Sequence, residues 1–265
     1  MSKDFRGKAL QHLQKADSQR QRGLYTDALA TLAKAEQLAR KVKAQDVLSA
    51  VYGTKAIVLR SKGMFDEALK MHTAALNIKE KLAKKDPFFN KSVAGTLNNL
   101  GALLSDMGRP DDAKTRYERA LEIYEALLLT DPAISVYQSD VSMTLNNLGN
   151  LLSAMGRPDD AKTMYERALE IYEALLLTDP ASSVYQSDVS MTLNNLGNLL
   201  NNMGRPDDAK TRYERALEMR EALLLTDPAS RVYQSDVSMT LNNLGNLLSN
   251  LQGTPTWDRC RYLHN

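Results

Sequence analysis

The stretch TLNNLGNLLSAMGRPDDAK, residues 144–162, decides the fold, because it recurs. TLNNLG stands at 96–101, 144–149, 192–197 and 240–245, so the period is 48 residues. MGRPDDAK keeps the same step from Met107, Met155 and Met203, and residues 133–180 and 181–228 differ at only 6 of 48 positions. A fixed period of this size marks an array of like units, each of which buries its apolar face against the next.

Within one period the apolar residues follow helical spacing. Leu145, Leu148, Gly149 and Leu152 fall at i, i+3, i+4 and i+7, which predicts a first helix. Gly156-Arg157-Pro158 breaks it, and Pro158 suits the first turn of a second helix, where its missing N–H costs nothing. Asp159 and Asp160 then place negative charge at the positive end of that helix. Ala161, Tyr165, Ala168, Leu169, Tyr172 and Leu176 form its stripe, and Asp179-Pro180 ends it, because the residue before proline is pushed out of the α region. Each period is therefore expected to be an antiparallel helix pair.

Leu145, Leu148, Gly149 and Leu152, followed by Ala161, Tyr165 and Ala168, resemble the tetratricopeptide repeat. The period is longer than that family's ~34 residues, and both helices look extended, as in repeats of the kinesin light chain type, whose LNNL phrase this sequence also resembles. The resemblance implies an all-α, right-handed superhelical solenoid of helix pairs. Two divergent repeats precede the regular ones: Gly23 with Ala28 and Ala35, and Gly63 with Ala68 and Ala75. The repeats are placed at about 5–43, 45–87, 89–132, 137–180 and 185–228, with a half-repeat at 233–251, all in one solenoid over 1–251. A tail, 252–265, lies outside the pattern. The half-repeat keeps Leu241, Leu244, Gly245 and Leu248 but lacks a second helix. It either caps the array, is covered by Trp257 and Tyr262 folding back, meets a second copy, or is a repeat cut short.

The adjacent asparagines oppose the helix they sit in, since asparagine is a poor helix former. On a helical wheel Asn146, Asn150 and Ser153 lie opposite the leucine stripe. The family resemblance implies that first helices line a concave groove. Stacked repeats would then give one row of Asn98, Asn146, Asn194 and Asn242 and another of Asn150, Asn198 and Asn246. Exposed amides donate and accept hydrogen bonds, so these rows are expected to hold the main chain of a bound peptide or helix. Asp106, Ala154, Asn202 and Asn250 occupy one place in successive repeats, and with Asn201 they are the expected specificity positions. A second reading of the first row, solvated filler copied by duplication, stands beside this one. The second asparagine of each pair (Asn99, Asn147, Asn195, Asn243) is expected to bond an adjacent helix. Gly101, Gly149, Gly197 and Gly245 are expected to admit close helix packing.

The remaining composition narrows the function. The chain is 43% hydrophobic and 25% charged, with 6% aromatic residues, an ordinary globular balance. No apolar run approaches the ~18 residues of a membrane span, the N-terminus has no secretion signal, and the one cysteine, Cys260, forms no framework. A cytoplasmic protein is expected. There is no phosphate-binding loop and no HExxH, His12, His72 and His264 are scattered, and Glu166, Glu170 and Glu173 read as a solvated face. No enzyme activity, cofactor or metal is expected; His72 takes the slot of Tyr117 and Tyr165 and is expected to pack.

Residues 1–92 hold 19 Lys+Arg against 9 Asp+Glu, and the rest hold 15 against 23, so a basic part precedes an acidic one. Lys79, Lys81, Lys84 and Lys85 near a helix end are read as solvated cations favoured by the dipole; they are too sparse for a nucleic-acid stripe. The expected function is a non-catalytic interaction scaffold that takes a protein or peptide partner in the asparagine-lined groove. Its alternative is self-association, either through the incomplete C-terminal repeat or head to tail between the basic and acidic ends.

Overall fold

The computed structural model describes residues 2–131 and 135–252; Trp257, Cys260, Tyr262 and His264 lie outside the described residues. Every regular element among the described residues is helical. The helices are α1 (Ser2–Gln21), α2 (Tyr25–Lys41), α3 (Gln45–Ser61), α4 (Phe65–Ala83), α5 (Asn90–Asp106), α6 (Pro110–Thr130), α7 (Ser135–Ala154), α8 (Pro158–Thr178), α9 (Ser183–Asn202), α10 (Pro206–Thr226) and α11 (Arg231–Gln252). A short 3-10 turn, Pro87–Phe89, precedes α5. The chain forms two compact units, 1–131 with α1–α6 and 132–265 with α7–α11. No helix among the described residues is long and apolar enough to cross a membrane.

In each unit a helix packs first on its own partner (α1 on α2, α3 on α4 and α5 on α6; α7 on α8 and α9 on α10), and each pair then stacks on the next. The turn inside a pair is set by one residue type. Gly23, Gly63, Gly108, Gly156 and Gly204 all have φ near +70°, a region that costs an L side chain free energy and glycine none. In the α7–α8 turn the Gly156 N–H donates to the Ser153 carbonyl and the Arg157 N–H to the Leu152 carbonyl. That is the Schellman pattern, which satisfies carbonyls a helix end would leave orphaned. Pro158 then opens α8, and Arg157 bonds Asp160 at 2.7 Å.

The two stripes meet between the paired helices. Leu145, Leu148 and Leu152 of α7 are buried with Ala161, Tyr165, Ala168, Leu169 and Tyr172 of α8. The helical glycines are where the pair comes closest. A Cβ at Gly149 would stand 2.7 Å from the Tyr165 ring, and one at Gly197 would stand 2.7 Å from the Tyr213 ring. In the first unit Gly101 meets Tyr117 in the same way, at 2.8 Å. The expectation of close packing at Gly245 is corrected: a Cβ there would meet nothing within 4 Å, because among the described residues no second helix packs on α11 as α8 packs on α7.

Two polar side chains are packed where the repeat elsewhere has tyrosine. His72, in the Tyr117 slot, is buried, and burial with Lys79 and Arg60 nearby holds its pKa down at about 4. Lys79 corrects the reading of the cations near the end of α4. Its ammonium turns inward to donate to the Thr96 hydroxyl at 2.7 Å and the Ser92 carbonyl at 3.3 Å, and burial lowers its pKa to about 8. One repeat position in the second unit shows the same substitution of a base for tyrosine. Arg220 stands where α8 has Tyr172 and is buried. It donates to the Asp236 carbonyl at 2.8 Å and the Thr240 hydroxyl at 2.5 Å, so the guanidinium is paid for in hydrogen bonds rather than left bare.

Candidate functional site: the exposed face of the first helices

The first-row asparagines do not face an open groove. Asn98, Asn146 and Asn194 are 5%, 2% and 2% exposed. The Asn195 amide N–H of α9 donates to Asn146 Oδ1 of α7 at 3.3 Å, and Asn243 of α11 donates to Asn194 Oδ1 of α9 at 3.1 Å. The expectation of peptide binding by Asn98, Asn146 and Asn194 is therefore corrected: they are buried, and the two in the second unit accept bonds from the first helix that follows. Asn242 is exposed because it lies on the last described first helix, with no successor to cover it. In the last two pairs the second asparagine does what the sequence suggested, since Asn195 and Asn243 tie neighbouring first helices together. A buried amide left without its partner costs about 1–3 kcal/mol, so substitutions at Asn146 or Asn194 report on folding rather than on binding.

The exposed side of α7 is rotated from the expected one. It consists of Val136, Asp140, Met143, Asn147, Asn150 and Ala154, all exposed or half-buried, spaced by four, three, four, three and four residues and so confined to a narrow arc of the helix. The same stripe on α9 is Val184, Asp188, Met191, Asn195, Asn198 and Asn202, and on α11 it is Val232, Asp236, Met239, Asn243, Asn246 and Asn250. The methionines are 37%, 36% and 45% exposed. Sequence reasoning missed the valine, aspartate and methionine rows, although the stripe is present in all three copies at helical spacing.

Of the expected binding residues, Asn150, Asn198 and Asn246 do lie on this face. Two are already oriented from behind: Tyr165 Oη donates to Asn150 Oδ1 and Tyr213 Oη to Asn198 Oδ1, each at 2.6 Å. With the oxygen engaged, the outward end of each amide is its N–H2 group, a donor for a partner's carbonyl. Of the specificity positions, Ala154, Asn202 and Asn250 end the stripes and are exposed, and Asn201 is half-buried beside them. Asp106 belongs to the first unit, where Arg60 of α3 donates to it at 2.5 Å.

The aspartates of the stripe differ in their surroundings. Asp236 stands near the Arg220 guanidinium, and the fields of Asp140 and Asp188, after burial, help push the Tyr172 phenol up. Asp188 has no ion-pair or hydrogen-bond partner for its carboxylate among the described residues, and burial raises its pKa to about 6. A raised carboxylate pKa means that the folded state holds the proton more tightly than the unfolded chain. The stabilisation this gives is full below the ordinary carboxylate range and is lost as pH rises through about 6. Asp188→Asn is accordingly expected to raise stability at pH 7.5, by about 1 kcal/mol after allowance for solvent screening, and to leave it unchanged near pH 4.5. Urea denaturation at the two pH values measures the difference; equal effects at both would remove the desolvated carboxylate from this account.

A tetratricopeptide repeat family model matches residues 8–81 and 92–174, more than half of the chain, and a second tetratricopeptide repeat model matches 189–229. The chain belongs to the tetratricopeptide repeat family. Among solved structures it is similar to BtubC (BKLC) from P. vanneervenii, with 25% identity and a TM-score of 0.64 over 78% of each chain. It is also similar to the putative kinesin light chain of Podosopora anserina with nearly identical TPR-like repeats, at 15% identity and a TM-score of 0.62, covering 84% of this chain and 98% of that one. Pseudomonas aeruginosa PilF matches at 17% identity and a TM-score of 0.57 over 98% of both chains. No curated protein matches. The resemblance to kinesin light chain repeats thus holds for the fold, and a protein–protein interaction scaffold is the class of function this family supports.

Proposed function

We propose that the exposed face of α7, α9 and α11 is a docking surface for a segment of another protein, and that the molecule is a non-catalytic scaffold. The observation that carries this is the threefold stripe itself. Side chains packed into a core are expected to be apolar, and those on a solvated face polar. Here Val136, Met143, Val184, Met191, Val232 and Met239 are apolar and substantially exposed on the same face as the amides of Asn150 and Asn198. Flexible methionines suit such a surface, because they adapt to irregular partners. The amides, held from behind by tyrosine hydroxyls, supply donors of fixed direction for a main chain, which gives affinity with little side-chain preference. The asparagine rows that support this reading are Asn150, Asn198 and Asn246. Nucleic acid fits the face poorly, since α7 and α9 carry no lysine or arginine and phosphate binding rests on cations.

Photo-crosslinking tests the assignment. A benzophenone amino acid at Met191 is expected to capture peptides selected on the whole chain from a random-sequence display library. The same group at Leu177, which is 83% exposed at the far end of α8, is expected to capture none. Capture at Leu177 alone would move the docking surface to the second helices.

A further inference from the structure

The proposed docking face in the second unit carries charge of one sign. Asp140 and Asp188 are the only ionisable side chains on α7 and α9 apart from Tyr137 and Tyr185. Asp188, in the central stripe, is half-buried, and its carboxylate has no partner among the described residues. It lies one turn from Met191 along α9, and the flanking stripes place Met143 and Met239 on either side. Half-burying a carboxylate without a counter-ion is unfavourable, and neither α7 nor α9 supplies one. At the matching site on the last stripe a base is present: Arg220 lies close to Asp236. On its inner side Asp236 thus has a cation, whereas Asp188 has the buried Tyr172 phenol in the same place, so a counter-ion for Asp188 has to come from the exposed side.

The separation of the stripes fixes a second feature. The Asn195–Asn146 and Asn243–Asn194 bonds link successive first helices through their side chains, which puts like positions on neighbouring stripes on the order of 10 Å apart. A chain in the polyproline II conformation advances ~3.1 Å per residue with three residues per turn, so side chains three apart share one face at ~9.3 Å. The two spacings are of the same order. A peptide laid across α7, α9 and α11 in that conformation would offer every third side chain to successive methionines.

Resting on the docking face argued above, we propose that its partner is a basic, extended segment: apolar residues at i, i+3 and i+6 seated on Met143, Met191 and Met239, and a lysine or arginine beside the central one paired with Asp188. The pairing supplies the missing counter-ion, and the donor amides of Asn150 and Asn198 take the segment's carbonyls.

Two synthetic nine-residue peptides test this on the full chain by fluorescence anisotropy. Both carry leucine at positions 2, 5 and 8 and serine elsewhere, except that one has lysine and the other glutamate at positions 4 and 6. The lysine peptide is expected to bind at least tenfold more tightly than the glutamate peptide at 0.1 M salt. Asp188→Asn is expected to reduce that ratio to about twofold or less, and Asp188→Lys to invert it, while both variants keep the wild-type circular dichroism spectrum. Equal affinity for the two peptides, detectable or not, overturns the proposal, and so does a lysine preference that survives Asp188→Asn. Crosslinking of library peptides at Met191 alongside such a result would leave the docking face intact and remove only its charge preference; loss of crosslinking would remove the face as well.

Discussion

Gly149→Leu is expected to destabilise the second unit by roughly 1–3 kcal/mol, and the cause is a single tyrosine. The first atom added at Gly149 would stand 2.7 Å from one ring carbon of Tyr165 and 2.9 Å from another. The ring cannot easily swing away, because it is buried and its hydroxyl is bonded to Asn150 at 2.6 Å. Either that bond breaks or α7 and α8 separate, and separation uncovers Leu145, Leu148 and Leu152. Helix propensity works in the opposite direction, since glycine is worse than other residues by about 1 kcal/mol in a helix. The net sign is therefore informative. Gly245 provides the internal control, for nothing lies within 4 Å of the same added atom there. Gly245→Ala is expected to raise stability by up to about 1 kcal/mol. Urea titration of both variants tests the pair; a Gly149→Leu midpoint equal to the wild type would mean that Tyr165 does not rest on the glycine.

The second large effect concerns binding. A peptide docked on the exposed stripes is expected to lose about 10- to 100-fold in affinity for Met191→Glu. Burying a methionine side chain is worth about 1.5–3 kcal/mol, and each 1.4 kcal/mol is tenfold in affinity. Glutamate forfeits that burial and adds the cost of desolvating a charge. Stability should change little, because Met191 already contacts water in the free protein. Isothermal titration with a library-selected peptide, beside a melting curve, separates the two effects. Full affinity in Met191→Glu would show that the peptide rests elsewhere.

How far the sequence could be read depended on whether one helix or several were needed. The helix pairs follow from one period: a leucine stripe, a Gly-Arg-Pro turn and an alanine–tyrosine stripe suffice, and the structure adds that the turn glycines adopt the left-handed conformation. The tight seat of Tyr165 on Gly149 was likewise visible in outline, as a glycine on a packed face. The exposed face was not. A wheel drawn for α7 alone separates the side facing α8 from its opposite, but it cannot say which flank the next repeat will cover. That flank contains Asn146, so the row that looked most open is buried, and the face turned to Asp140, Met143 and Asn147. One clue was present in the letters: Met143, Met191 and Met239 recur on first helices without belonging to the leucine stripe. Lys79 and Arg220 were misjudged or passed over for the same reason. Their partners, Thr96 and Thr240, sit on the helix that follows, and only the stacked structure brings them together.

The chain holds 11 methionines, which makes the docking face directly observable. With the methionine ε-methyl groups carbon-13 labelled and assigned by substitution, titration with a library-selected peptide is expected to shift the signals of Met143, Met191 and Met239 together. Met164 and Met219, on the second helices α8 and α10, should stay in place. Shifts confined to Met164 and Met219, with the three first-helix methyls unmoved, would contradict the account.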